Sequence, residues 1–270
     1  MQRVILSGAT GWAGAALARG IAAQDDLQLV GAVGHRNAGR PLGELLNLPT
    51  AAGMVSGSAA EAIALAEGCD VYVEYAKPGS IEIVKTNILA ALAAGAHVVV
   101  GSSGLGDADY AAIDKAARDA GRGALACGNF ALTAVLLQRF AEMAARYIPN
   151  FEVIDYAKDS KPDAPSGTGR ELALRLGAAR QPAIGVPLDQ VNGPDGVRGA
   201  TLNGVQVHAV RVPGFVLGIE TIFGMKDQRL HLRHEAGSSA EPYVEGALLA
   251  IRKVNGHTGL LRGLDKVMGL

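Results

Sequence analysis

Several things are scarce in this chain, and each scarcity removes a class of function. Aromatic side chains make up 4% of 270 residues, with one Trp, six Tyr and five Phe. Stacking platforms for nucleic-acid bases are therefore not available in number. Positive charge is not in excess: 25 Lys and Arg face 26 Asp and Glu, for a net charge of −1. Without a basic cluster, nucleic acid is excluded as the main partner. There are two cysteines, Cys69 and Cys127, both in apolar strand-like runs. They are expected to be buried free thiols, which points to a reducing compartment. No apolar run reaches the ~18 residues of a membrane span. No His, Cys or carboxylate cluster has metal-ligand spacing, and His231 and His234, three apart in a strand, face opposite sides. The opening Met1-Gln2-Arg3-Val4-Ile5-Leu6 enters a strand directly and has no signal-peptide pattern. The expected location is the cytoplasm.

What remains is a well-folded composition, 49% hydrophobic and 19% charged, in a chain long enough for one large or two smaller domains. Short apolar strands alternate with helices through the first half: residues 3–7, Leu27 to Val33, Cys69 to Tyr75, His97 to Val100 and Gly123 to Cys127, with helices over Ser80 to Ala94 and Asp107 to Ala120 between them. This is the pattern of a parallel sheet covered on both faces. Near Gly128 the pattern changes. A helix over Leu132 to Tyr147 leads to a strand over Phe151 to Lys158, and a Gly/Pro-rich excursion spans Gln181 to Gly204. Strand-like runs follow at Val205 to Val212, Val216 to Met225 and Arg229 to Ala236, then a helix over Ala240 to Val254. The short connections predict antiparallel hairpins, so the second half is expected to hold an open mixed or antiparallel sheet. The fold class is α/β, with a Rossmann-type parallel domain and an α+β domain.

Gly8-Ala9-Thr10-Gly11-Trp12-Ala13-Gly14 follows the first strand with G-x-x-G-x-x-G spacing. The first glycine permits a tight turn, the second lets a pyrophosphate approach the backbone, and the third lets helix and strand pack closely. Trp12, just after the second glycine, is expected to cover the cofactor mouth or to pack on the sheet, with packing as the default. The second strand ends Val33-Gly34-His35-Arg36, with Arg40 nearby and no carboxylate. An acid there would bond the ribose of NAD, whereas Arg36 and His35 suit a 2′-phosphate, so NADPH is preferred and NADH is possible. Gly101-Ser102-Ser103-Gly104 turns at the carboxyl edge of the sheet, where ligands bind. It reads equally as a nicotinamide contact and as a plain loop.

The second motif is Lys161-Pro162-Asp163-Ala164-Pro165-Ser166-Gly167-Thr168, running into an amphipathic helix. Ser166 or Thr168 can cap that helix, and its free first-turn amides with Lys161 form an anion site suited to a small carboxylate.

Together with Asp70 to Pro78, Gly128-Asn129-Phe130-Ala131, Val210-Arg211-Val212-Pro213-Gly214 and His234 to Ser239, these segments stand in the order found in 4-hydroxy-tetrahydrodipicolinate reductase (dihydrodipicolinate reductase), and nearly the whole chain resembles that family. The resemblance implies an NAD(P)H-dependent reductase of a cyclic imine or enamine dicarboxylate in lysine and diaminopimelate biosynthesis. It implies a dinucleotide domain of residues 1–127 and 238–270, and a substrate domain of residues 128–237 whose sheet builds a homotetramer. It assigns Gly8 to Gly14, His35, Arg36, Tyr75, Gly101, Ser102, Ser103, Asn129 and Phe130 to the cofactor, and Lys161, Ser166, Gly167 and Thr168 to a substrate carboxylate.

The chain departs from the family at the substrate side. A histidine pair is usual where this sequence has Ala157-Lys158, and an arginine where it has Ala240. Reduction of C=N leaves charge that a proton must neutralise, and a positioned acid contributes ~10²–10⁴-fold. Lys158 and Lys161 are the candidate catalytic residues, with Tyr156 and solvent as alternatives. A shifted imine substrate, or a nucleotide-binding regulator without chemistry, are the competing readings. Arg211 in an apolar strand stays open between substrate contact and pairing across a subunit interface.

Overall fold

The computed structural model describes residues 1–48, 52–76, 79 and 81–269. In chain order its elements are β1 (Gln2–Ser7), α1 (Trp12–Ala22), β2 (Leu27–Val33), α2 (Leu42–Leu46), β3 (Val55–Ser56), α3 (Ala59–Leu65), β4 (Val71–Glu74), α4 (Ile81–Ala93), β5 (His97–Val100), α5 (Asp107–Asp119), β6 (Gly123–Ala126), α6 (Leu132–Tyr147), β7 (Asn150–Ala157), α7 (Gly167–Ala179), β8 (Ala200–Leu202), β9 (Val205–Arg211), β10 (Leu217–Met225), β11 (Gln228–Ala236), α8 (Val244–Lys253) and β12 (Gly259–Arg262). Ser80, expected to start a helix, and Lys77 and Pro78, expected at a strand exit, lie outside the described residues. The chain divides into two compact units, Met1–Leu132 with Ala240–Leu270, and Thr133–Ser239.

The first unit holds a seven-stranded parallel sheet in the order β12-β6-β5-β4-β1-β2-β3. The central strands are short, and β4 and β6 are buried along their whole length, because helices cover both faces. Strand order reverses between β1 and β4, and a crevice outside the strand ends at such a reversal is where nucleotides bind in this architecture. Helix α1 buries Gly14, Leu17, Ala18 and Ile21, one stripe at helical spacing. The sequence reading missed β3 and β12, which are short and lie at the two edges of the sheet.

The second unit holds a five-stranded mixed sheet in the order β11-β10-β7-β9-β8. Strand β7 buries Phe151, Val153, Asp155 and Ala157 in strict alternation, toward α6 and α7, whose Leu137, Ala141, Leu172 and Leu176 share that core. Only one of the expected hairpins forms. Strands β10 and β11 pair antiparallel, but β9 pairs parallel with β7 instead of with β10. The reason is reach: residues 212–216, extended at ~3.3 Å each, span the ~10 Å across one intervening strand. A five-residue link therefore does not require neighbouring strands. Within the Gln181 to Gly204 excursion, β8 adds an edge strand on β9.

Candidate active site: a dinucleotide cradle and an anion loop

The glycine turn in the first unit is built by contact. Gly8 has φ +73°, and a Cβ there would fall 2.7 Å from the Tyr75 carbonyl oxygen. A Cβ on Gly14 would fall 2.1 Å from the Gly8 carbonyl oxygen, so neither position accepts a side chain. Gly11 precedes α1 without a side-chain cap, and the first turn carries no acid. The N–H groups of Trp12, Ala13 and Gly14 are thus left without intrahelical acceptors at the positive end of the helix. This cradle fits the pyrophosphate of a dinucleotide. Ala9 is buried, while Thr10 is exposed and its Oγ1 accepts from Asn37 Nδ2 at 3.2 Å, tying the turn to the loop after β2.

That loop carries His35 and Arg36, both exposed, and Arg36 has no ion-pair or hydrogen-bond partner among the described residues. Trp12 does not pack on the sheet. It is 63% exposed and sits edge-on to Tyr243, with ring centroids 5.9 Å apart. As the first helical residue it falls off the buried stripe of α1.

The exits of β4 and β5 are interlocked. A Cβ on Gly101 would fall 2.3 Å from the Tyr75 ring, which packs on Phe130 at 5.3 Å between centroids. The Tyr75 hydroxyl is buried without a partner among the described residues, and burial raises its pKa well above the usual tyrosine value. Ser102 is buried, and its hydroxyl is spent on the Ala76 carbonyl at 2.7 Å, whereas Ser103 is exposed. Asn129 Oδ1 accepts from Ala131 N–H at 2.8 Å.

In the second unit, Ser166 caps α7: its Oγ accepts from Gly169 N–H at 3.1 Å. Ser166 also donates through N–H to Asp155 Oδ2 at 2.9 Å and through its hydroxyl to Oδ1. Asp155 is fully buried. Its charge is met by Arg211, whose Nη2 lies 2.6 Å from Oδ2 and also donates to the Asp163 carbonyl at 2.7 Å. Arg211, left open between substrate and partner subunit by the sequence, is therefore a strut inside its own chain. A Cβ on Gly167 would meet nothing, and its backbone is not left-handed. Nothing in the chain's own packing explains that glycine, while close approach of a ligand to the backbone does. Thr168 is half-buried. Lys161 Nζ lies 2.8 Å from Asp163 Oδ1, and this bond holds the Asp163 carboxyl below its usual range.

The alternation of β7 removes one proton-donor candidate. Asp155 faces Ser166, so Tyr156 faces the opposite side of the sheet. There its hydroxyl donates to Glu220 at 2.9 Å, and Arg233 lies 4.8 Å over its ring. Burial alone would raise Glu220, but His231, Tyr156 and Arg233 together hold its pKa low. Lys158 lies just past the end of β7, exposed and without a partner among the described residues. His208 pairs with Glu152 at 2.7 Å, and His234 Nδ1 lies 3.0 Å from Thr133 Oγ1. Both are satisfied sheet histidines. Two carboxylates that organise these regions, Glu74 and Asp155, are not singled out by the sequence reading, although Glu74 is the one acid of β4 and Asp155 falls on the buried side of β7.

Family models cover the chain almost end to end: dihydrodipicolinate reductase, N-terminus, over residues 2–130, and dihydrodipicolinate reductase, C-terminus, over residues 133–268. The chain belongs to the dihydrodipicolinate reductase family. It is 37% identical over 266 residues to the 4-hydroxy-tetrahydrodipicolinate reductase of Desulfitobacterium hafniense, covering 98% of both chains. It is 36% identical to that of Moorella thermoacetica, covering 98% of this chain and 97% of the relative. A dipicolinate-bound dihydrodipicolinate reductase from Paenisporosarcina sp. TG-14 superposes with a TM-score of 0.87 at 27% identity, over 99% of this chain and 100% of that one. An amine dehydrogenase from Mycobacterium smegmatis shares the fold at 16% identity and a TM-score of 0.65. Among the described residues no helix is long and apolar enough to cross a membrane.

Proposed function

We propose that this chain is an NAD(P)H-dependent 4-hydroxy-tetrahydrodipicolinate reductase of lysine and diaminopimelate biosynthesis, working in the cytoplasm on a small dicarboxylate. The observation that carries this reading is the α7 N-terminus, where Ser166 is locked by Asp155, Gly167 leaves open space, and Lys161 stands beside it. These groups bind one substrate carboxylate through the Gly167 and Thr168 amides and the Lys161 ammonium. Curated relatives with that activity match over the full length.

The cofactor, when bound, supplies the hydride that reduces the C=N bond. The first-turn amides of α1 hold its pyrophosphate, and Gly101 and Ser103 offer backbone and hydroxyl groups near the strand exits. Arg36 and His35 pair with a 2′-phosphate, which favours NADPH over NADH. Lys158 delivers the proton, because it stands where the resembled family carries its histidine pair and no carboxylate engages it. Lys158→Ala should lower kcat about 100-fold at nearly constant KM. Unchanged kcat would assign the proton to solvent or to Lys161. The open face of the five-stranded sheet, carrying Glu152, Tyr156, Glu220 and Arg233, pairs with copies of itself in a homotetramer. Light scattering at micromolar protein checks that number.

A second reading rests on Ala157-Lys158: the same fold acting on a different cyclic imine acid. Turnover measured side by side on 4-hydroxy-tetrahydrodipicolinate and on simpler cyclic imine carboxylates separates the two.

A further inference from the structure

Glu74 ends β4 and is fully buried, 0% exposed, in the first unit. A carboxylate there is expensive to desolvate unless donors surround it. Its Oε1 accepts from Ala76 N–H at 3.0 Å and its Oε2 from the Tyr72 hydroxyl at 3.0 Å. The Ser102 hydroxyl oxygen lies 3.5 Å from Oε1, and the polar side chains of Ser7 and Asn87 help to offset the rise in pKa that burial imposes on the group. All of these partners are neutral, and among the described residues none is a cation. Ordinary packing does not explain an acid in this place, since Glu74 follows the apolar run Val71-Tyr72-Val73.

Its partners explain the place better. Ser7 is the last residue of β1, directly before Gly8, and it stands in register with Glu74. Ala76 lies on the exit of β4. Ser102 lies on the exit of β5, where its one hydroxyl proton goes to the Ala76 carbonyl and its backbone N–H donates to the Glu74 carbonyl at 3.2 Å. The Glu74 side chain thus stands among the carboxyl ends of the three strands that flank the reversal in strand order, bonded to the exit of β4 and in contact with those of β1 and β5, where a nucleotide binds in this architecture. The same exits carry Tyr75, whose ring fixes the space that Gly101 leaves. Asn87 extends the network to the start of α3, through Ala59 N–H at 3.1 Å.

We propose that Glu74 is a positioning residue for the nicotinamide nucleotide, holding the exits of β1, β4 and β5 in the arrangement that binds it. This rests on the dinucleotide reading of the first unit. It acts through the loops and touches no reacting atom, so removing it loosens the nucleotide without altering recognition of the carboxylate substrate.

The test uses the full chain and its single tryptophan, Trp12, at the mouth of the cradle. Quenching of Trp12 emission on titration with NADPH and NADH gives the dissociation constants, and thermal melting gives stability. Glu74→Ala should weaken nucleotide binding about tenfold or more, with the KM for the imine substrate nearly unchanged. Glu74→Gln, which keeps an acceptor for Ala76 N–H, should restore affinity to within about threefold of the native chain. Tyr72→Phe, which removes the donor to Oε2 and keeps the ring, should weaken binding several-fold with little change in melting temperature. If Glu74→Ala fails to fold, Tyr72→Phe alone decides. Native-like affinity in folded Glu74→Ala, or in Tyr72→Phe, overturns the proposal. A native chain that binds neither nucleotide overturns the cofactor reading on which it rests.

Discussion

Arg211 Nη2 lies 2.6 Å from Oδ2 of the fully buried Asp155. That ion pair connects the end of β9 to the helix cap that presents the anion site, because the same carboxylate holds Ser166. Removing Arg211 leaves a buried charge uncompensated, which typically costs ~3–5 kcal/mol. Arg211→Ala should therefore melt well below the native chain, and where it still folds it should raise the KM for the dicarboxylate. Arg211→Lys should keep part of the stability but lose the second bond, to the Asp163 carbonyl. Calorimetry with steady-state kinetics checks both.

Gly167 separates binding from folding. With open space at its Cβ and an ordinary backbone, Gly167→Ala should leave stability unchanged or raise it by up to ~1 kcal/mol. The added methyl enters the place proposed for the substrate carboxylate, so KM should rise about tenfold or more. A variant with native KM would mean that the carboxylate sits elsewhere.

Arg36 should decide between the two nucleotides. It is exposed and unpaired among the described residues. Arg36→Asp removes a cation from the 2′-phosphate and sets an acid where ribose hydroxyls bind. The ratio of kcat/KM for NADPH over NADH should fall at least about tenfold, or ~1.4 kcal/mol. An unchanged ratio would place 2′-phosphate recognition on other groups.

The fold should also weaken in mild acid through His97. Its Nδ1 accepts from Gly123 N–H at 2.9 Å, a bond that needs an unprotonated nitrogen. Burial, then the charges of Arg122 and His257, lower its pKa below 6.5. Between that lowered value and 6.5 the unfolded chain binds a proton that the native chain refuses. Stability from this group is full above about 6.5 and is lost as pH falls through that window. His97→Gln should flatten the decline in melting temperature between pH 7.5 and 5.5.

The sequence made some of this legible and hid the rest for physical reasons. The glycine turn and the anion loop were readable because each depends on local backbone demands: no Cβ at Gly8 or Gly14, and a cap at Ser166. The parallel sheet was readable because fully buried strands appear as apolar runs. Strands β3 and β12 were missed because edge strands of two and four residues carry too short a pattern. The link after β9 was read as a hairpin because length alone does not say whether a chain joins neighbours or steps over β7. Packing on the sheet is the default reading for Trp12, but its place as first residue of α1 takes it off the buried stripe. Asp155 and Arg211 needed the structure, since each acquires its meaning from a partner 56 positions away in sequence, and Glu74 needed it because its burial does not show in the sequence.

The central claim is reduction of a cyclic imine dicarboxylate by this chain. The most direct measurement is NADPH oxidation with 4-hydroxy-tetrahydrodipicolinate generated in place, beside 1-pyrroline and 1-piperideine carboxylates as competing substrates. Rapid turnover of the first, with kcat/KM at least about tenfold above the simpler imines and lost in Lys161→Ala, is the expected result. No turnover of 4-hydroxy-tetrahydrodipicolinate by a chain that still binds NADPH tightly would contradict the account.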